Sequence, residues 1–205
     1  MDTTLFPTKG NLMLAKNTLE LCEKGYELMD RKRSILIREM MEMIERAREV
    51  HSAMEVTFSE AYAALQHANI TMGIGTVTQI GGAIPLEDDI RVRFRSVMGV
   101  ELPVVLSDKR SLSPNYGFSM TGSSLDEAVV KFVRVRKLIL DLAEIENSVY
   151  RLAVSIGKTQ KRTNSLKNIL IPRYENIVKT IQDVLDEKER EEFSRLKVIK
   201  KRKES

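Results

Sequence analysis

The chain is predicted to be mainly α: a long antiparallel two-helix coiled coil, formed by its N- and C-terminal parts, with a short central β-hairpin insert. Three observations predict this. Apolar residues recur at alternating steps of three and four at both ends of the 205-residue sequence. Glycines and a period-two stretch interrupt that pattern in the middle. Aromatic residues make up only 5%, with no Trp, while charged residues reach 30%. That composition suits long helices better than a large globular core.

The first seam runs Leu12, Ala15, Leu19, Cys22, Tyr26, Met29, Arg33, Leu36, Met40, Met43, Ala47, Val50, Met54, Thr57, with only Arg33 and Thr57 not apolar. Ala61, Ala64 and Ala68 continue it with small side chains that allow close approach. Thr8 is placed to cap the helix after Pro7. The helix is expected over residues 8–70, roughly 90 Å at 1.5 Å per residue. The second seam runs Leu138, Leu142, Ile145, Val149, Leu152, Ile156, Thr159, Thr163, Leu166, Leu170, then Ile177, Ile181 and Val184. Ser124 and Glu127 suggest a capping box at its start. A helix is expected over 124–196, bent at Pro172 where one backbone hydrogen bond is lost, with a basic tail at 197–205.

Residues 71–123 form the predicted connection. "GIGTVTQIGG" (73–82) reads as a glycine-rich loop. In "IRVRFRSVMGVELPVVL" (90–106), Ile90, Val92 and Phe94 alternate with Arg91, Arg93 and Arg95. This is a strand whose apolar face should pack on the coiled coil or on a partner. "NYGFSMTG" (115–122) is the candidate return strand. No third long segment covers the two seams, so the helices most simply cover each other, although spacing alone also allows an extended homodimer. In the antiparallel hairpin, facing residue numbers add to roughly 200. "GYELMDRKR" (25–33) then faces the region of Pro172, where Gly25 would permit close backbone approach.

Little in the sequence points to catalysis. The glycines at 73–82 lack the Lys of a phosphate-binding loop. One cysteine and two distant histidines, His51 and His67, do not make a structural metal site. No nucleophile, base and orienting group stand out, so no catalytic residue, cofactor or metal is expected. The net charge of +4 and pI of about 9.1 permit an acidic partner. The cations Arg31, Lys32 and Arg33 spread around the helix, with Arg33 on the seam, where burial without a partner is costly. The basic tail reads as a solvated terminus before it reads as a nucleic-acid patch. No apolar run is long enough to span a membrane, and no signal pattern opens the chain.

Three segments carry a family resemblance. "FPTKGNLMLAKNTLELCEKGYELMDRKRSILIREM" (6–40), "RSVMGVELP" (95–103) and "KRTNSLKNILIPRYENIVKTIQDVLDEKEREEFSRLKVIKKRK" (161–203) closely resemble, in order, the D subunit of V-type and archaeal-type rotary ATPases. The resemblance implies a non-catalytic central-stalk rotor shaft. Such a shaft couples ATP hydrolysis or synthesis in a hexamer of catalytic A and B subunits to H⁺ or Na⁺ transport through a membrane ring. It also implies a small partner, the F subunit of the central stalk, and a funnel-shaped subunit linking to the ring, on the cytoplasmic side of a membrane. No nucleic acid and no direct membrane insertion are implied. Candidate shaft or partner contacts are Gly25, Tyr26, Arg31, Lys32, Arg33, Pro172 and Arg173; candidate hairpin contacts are Ile90, Val92, Phe94, Arg95 and Met98. Heptad spacing by itself does not separate such a shaft from a generic coiled-coil scaffold or tether. The insert is expected to tune ATPase rate or coupling, and replacing 84–118 by a short linker to leave the helices largely intact.

Overall fold

A computed structural model describes residues 6–83, 90–107, 116–117 and 121–203. The element order is α1 (Lys9–Met72), α2 (Ile74–Ala83), β1 (Ile90–Val97), β2 (Val100–Ser107), α3 (Ser123–Ser165), a π-helical turn (Leu166–Leu170) and α4 (Ile171–Lys203). The protein is thus mainly helical, with one small antiparallel sheet between its long helical parts. It divides into two compact units: residues 1–34 with 157–205, and residues 35–156.

In the first unit, the start of α1 runs antiparallel to the end of α3 and to α4. Thr8 caps α1 as expected, accepting the Asn11 N–H on its hydroxyl at 3.2 Å. Lys9 pairs with Glu189 at 2.8 Å, and Lys16 Nζ reaches Gln182 Oε1 at 3.5 Å. Further along, the Lys167 ammonium lies 5.8 Å from the centre of the Tyr26 ring. The numbers of these facing residues add to just under 200.

Every predicted seam position on α1 in this unit is buried or half-buried, as are Thr159, Thr163, Leu166 and Leu170 opposite. Beyond Leu170 the seam slips by one residue. Tyr174 and Ile181 turn inward, while Arg173 and Thr180, which a strict heptad would place there, are exposed. The π turn supplies the slip. It wraps one extra residue, so that the Ile171 N–H donates to the Leu166 carbonyl five residues back. Pro172 follows at once. Its missing N–H is absorbed next to a turn that already departs from α-helical bonding, and α4 then continues helically to Lys203.

Gly25 is not a point of close backbone approach. A Cβ built there meets only Leu166 Cδ1, at 4.0 Å, an ordinary van der Waals contact. Gly25→Ala is therefore expected to stabilise the protein by about 1 kcal/mol through helix propensity and the entropy of the unfolded chain. Urea unfolding followed by circular dichroism checks this; a loss of stability would mean that the site needs glycine.

In the second unit, the rest of α1 packs antiparallel on α3. Its core gathers Leu36 and Met43 of α1, Ile145 and Leu152 of α3, and Leu102 of β2, with Met40, Ala47, Val50, Val97, Val100, Val149 and Ile156 around them. The small residues Ala61, Ala64 and Ala68 are buried on α1, with Leu125, Ala128 and Val135 on α3. Tyr62 sits between Phe58 (stacked, 5.9 Å) and Phe132 (edge-on, 5.7 Å). The Thr71 and Ser124 hydroxyls meet at 3.0 Å. Ser124 is thus a bridging residue rather than the helix cap. The helix begins one residue earlier, and Glu127 pairs with Lys131 instead of closing a capping box.

Two parts of the connection differ from the sequence reading. Gly73, at φ +84°, ends α1 as expected, but residues 74–83 form the helix α2 rather than a loop. The return strand is β2, not 115–122. Residues 116–117 and 121–122 are not strand, and 115 and 118–120 lie outside the described residues. β1 and β2 pair from Val97↔Val100 to Ile90↔Ser107 across a two-residue loop. Met98 (φ 50°) and Gly99 (φ 78°) are both left-handed, the requirement of a tight hairpin turn matched to strand twist.

In the first turn of α3, Asp126 Oδ1 accepts the Tyr116 hydroxyl at 2.6 Å. Burial first, then this bond and the carboxylate's charge, push the phenol up to about 12 from its ordinary 10. The neutral phenol is favoured in the fold, so its contribution to stability is complete below about pH 10 and is lost as pH rises toward about 12. Tyr116→Phe should remove that alkaline decline in urea stability. An unchanged decline would assign it to other groups.

Candidate functional site

Two features are legible in the sequence as candidate contact sites: the cation belt at 25–33 and the hairpin. In the belt, the 100° step per residue sends each cation in a different direction. Arg31 points outward, 3.9 Å from Glu27, and Lys32 is half-buried. Arg33 turns into the seam, where its side chain is 29% exposed. Its guanidinium meets Asp30 at 2.6 Å and Gln160 Oε1 at 2.7 Å, and Gln160 in turn donates to Asn164 at 2.8 Å. Nε is buried without a partner among the described residues. Thr159 and Thr163 are buried nearby in sequence, the Thr163 hydroxyl donating to the Thr159 carbonyl at 3.0 Å. Arg33 is therefore a structural residue of a polar layer, a device that fixes register between paired helices.

The sequence does contain the signal for this layer: Arg33 is the one charged position on the first seam, and Thr159 and Thr163 are the two polar ones on the second. The belt faces residues 160–167 rather than Pro172. Pro172 is half-buried and Arg173 is exposed.

On the hairpin, the face expected to pack on the coiled coil or on a partner does not pack on the coiled coil; the opposite face does. Arg95 and Leu102 are cross-strand partners and share a face. Leu102, 1% exposed, fills the core, and Arg95 on that face binds Glu39 at 2.7 Å. The face of Ile90 (45% exposed), Val92 (50%) and Phe94 (56%) is left open. The reason lies in β2: Val100, Leu102, Val104 and Leu106 form its more apolar face, and the two-residue loop locks their β1 partners Val97, Arg95, Arg93 and Arg91 to the same side. α3 fastens the β2 edge: Glu144 Oε2 accepts the Val105 N–H at 2.7 Å, and Arg151 donates to the Glu101 carbonyl at 3.1 Å. The Arg151 guanidinium also lies 5.2 Å from the centre of the Phe94 ring. Met98 projects at the turn.

Among the described residues, no group of three or more His, Cys, Asp or Glu side chains could hold a metal ion, and no helix is long and apolar enough to cross a membrane. The described residues define a class of protein by fold: paired long helices that carry a charged segment on α1 and a docked two-stranded hairpin.

Comparison with known proteins places the chain in a family. The family model for the ATP synthase D subunit matches residues 11–201, and the chain belongs to that family. It is 41% identical over 196 residues to the D subunit of the V-type ATP synthase of Thermotoga neapolitana, covering 96% of this chain and 97% of that one. It is 38% identical over 197 residues to the D subunit of the A-type ATP synthase of Methanobrevibacter smithii, covering 95% and 85%. Against the corresponding A-type D subunit of Methanopyrus kandleri it is 39% identical over 196 residues, covering 95% and 84%.

Proposed function

We propose that this chain is the central-stalk rotor shaft of a V/A-type rotary ATPase. It couples ATP hydrolysis or synthesis in a catalytic A/B hexamer to H⁺ or Na⁺ transport through a membrane ring, and it does no catalysis itself. Membership of the D-subunit family supports the reading. So does the helical pairing, which is the observation that carries it: the predicted seam positions are covered in both units, and a paired helix resists bending and twisting more than a single one. Torque transmission needs that stiffness.

In this reading, Arg31 and Lys32 present charge to an acidic lining of the hexamer. Gly25, Tyr26, Pro172 and Arg173 lie on the same shaft segment, and the hairpin tunes ATP hydrolysis or coupling. The small F subunit and a funnel-shaped subunit would be the other partners, on the cytoplasmic side of the membrane. Affinity capture of the tagged chain from native membranes tests it. Recovery of an A/B hexamer with a small globular subunit is expected. Recovery of a homodimer alone or of RNA would support a generic scaffold or a nucleic-acid-binding coiled coil instead.

A further inference from the structure

The two edges of the hairpin are treated differently. In the β1–β2 register, Val97 and Val100 close the turn and bond to each other, so outward-pointing backbone groups fall on alternate residues from Ser96 and Glu101 onward. On β2 those are Glu101, Pro103, Val105 and Ser107. That edge is partly occupied: Arg151 takes the Glu101 carbonyl, Pro103 has no N–H, and Glu144 takes the Val105 N–H.

On β1 the corresponding residues are Ile90, Val92, Phe94 and Ser96. Among the described residues the sheet has no third strand, and Ile90, Val92, Phe94 and Ser96 make no backbone bond beyond β2. The open edge carries no proline and no bulge; of the usual protections against pairing it has only charge, in Arg91 and Arg93, which turns away like-charged strands and leaves acidic ones free to pair. The side chains of Ile90, Val92 and Phe94 form an exposed apolar row on one face, while Arg91 and Arg93 are exposed on the other.

We propose that the outer edge of β1 is a docking edge for an extended segment of a partner protein that alternates acidic and apolar residues. Such a segment would add a third strand. Its amides and carbonyls pair with those of Ile90, Val92, Phe94 and Ser96, its apolar side chains extend the Ile90–Val92–Phe94 row, and its carboxylates lie beside Arg91 and Arg93. Charge decides the occupant. A second copy pairing edge to edge through β1 would set arginine against arginine on one face, which is unfavourable. An acidic strand meets two cations there, and Arg95, already held by Glu39, stays with the scaffold. This inference does not depend on the rotor reading.

The test is residue-resolved amide hydrogen exchange on the full chain, alone and with eight-residue peptides alternating glutamate with valine or lysine with valine. The glutamate peptide should slow exchange at Ile90, Val92, Phe94 and Ser96 by about fivefold or more, the effect of one hydrogen bond each. The amides of Arg91, Arg93 and Arg95, already in the ladder, should change little. Arg91→Glu with Arg93→Glu, checked for retained helicity, should switch the preference to the lysine peptide. No slowing at saturating peptide, equal slowing by both peptides, or slowing that follows only the chain's own concentration would overturn the proposal; the last would make the occupant a second copy.

Discussion

Leu102→Ala is expected to lower the stability of the 35–156 unit by about 2–5 kcal/mol, the range for truncating a fully buried leucine. Leu102 is the β2 side chain that enters the core formed by Leu36, Met43, Ile145 and Leu152. Its loss leaves a cavity among residues of three elements. It also removes the main apolar anchor of a two-stranded hairpin, which is barely stable alone. The Arg95–Glu39 and Val105–Glu144 contacts depend on that docking and should weaken with it. Val92→Ala, on the open face of the same hairpin, should cost no more than about 0.5 kcal/mol. Urea unfolding of the two variants side by side decides the matter. Equal losses would mean that the hairpin is not keyed into the core through Leu102. The same contact bears on the expectation that 84–118 can be exchanged for a short linker: that exchange also uncovers Leu36 and Ile145, so helical stability should fall with it.

Arg31→Glu and Arg33→Glu should separate function from folding. Arg33→Glu puts a carboxylate where a guanidinium now meets Asp30 and Gln160. The seam then holds two neighbouring acids in place of an ion pair, and a loss of about 1–3 kcal/mol is expected. Arg31 lies outside, so Arg31→Glu should leave unfolding unchanged. In an assembled complex it should lower ATP turnover or coupling if the belt faces an acidic wall. Unchanged turnover and coupling in a fully assembled Arg31→Glu complex would reduce that part of the belt to a solvated face. A larger stability loss for Arg31→Glu than for Arg33→Glu would contradict the polar layer.

The helices are legible in the sequence because a long heptad pattern repeats one simple demand, an apolar stripe to be covered, many times over. Each seam position from Leu12 to Thr57 satisfies it. The hairpin is legible as an element but not in its pairing or its facing. Met98–Gly99 is a tight turn without the Asn or Asp that usually announces one, so the sequence pattern points to 115–122 for the return strand. The apolar row of β1 suggests a buried face, but facing is decided jointly by both strands, and Leu102 of β2 prevails. The step is marked in the seam, which passes from Leu170 to Ile177, Ile181 and Val184 and so departs from the strict heptad at Thr180, but the spacing does not say that a π turn takes up the extra residue. Gly25 suggests close packing, yet a glycine reports permitted geometry and not the presence of a neighbour, and Leu166 stands a full contact distance away. For the candidate contact sites, residue type is readable and direction is not. Arg33 and Arg31 are two positions apart and have different jobs.

The rotor claim is tested most directly by watching the chain turn. In an assembled complex immobilised through its hexamer, a probe is attached at Met98→Cys in a Cys22→Ser background. The probe is expected to rotate in one direction while ATP is hydrolysed and to stop when ATP is removed. A probe that stays fixed relative to the hexamer while ATP is hydrolysed at the normal rate would contradict the rotor role.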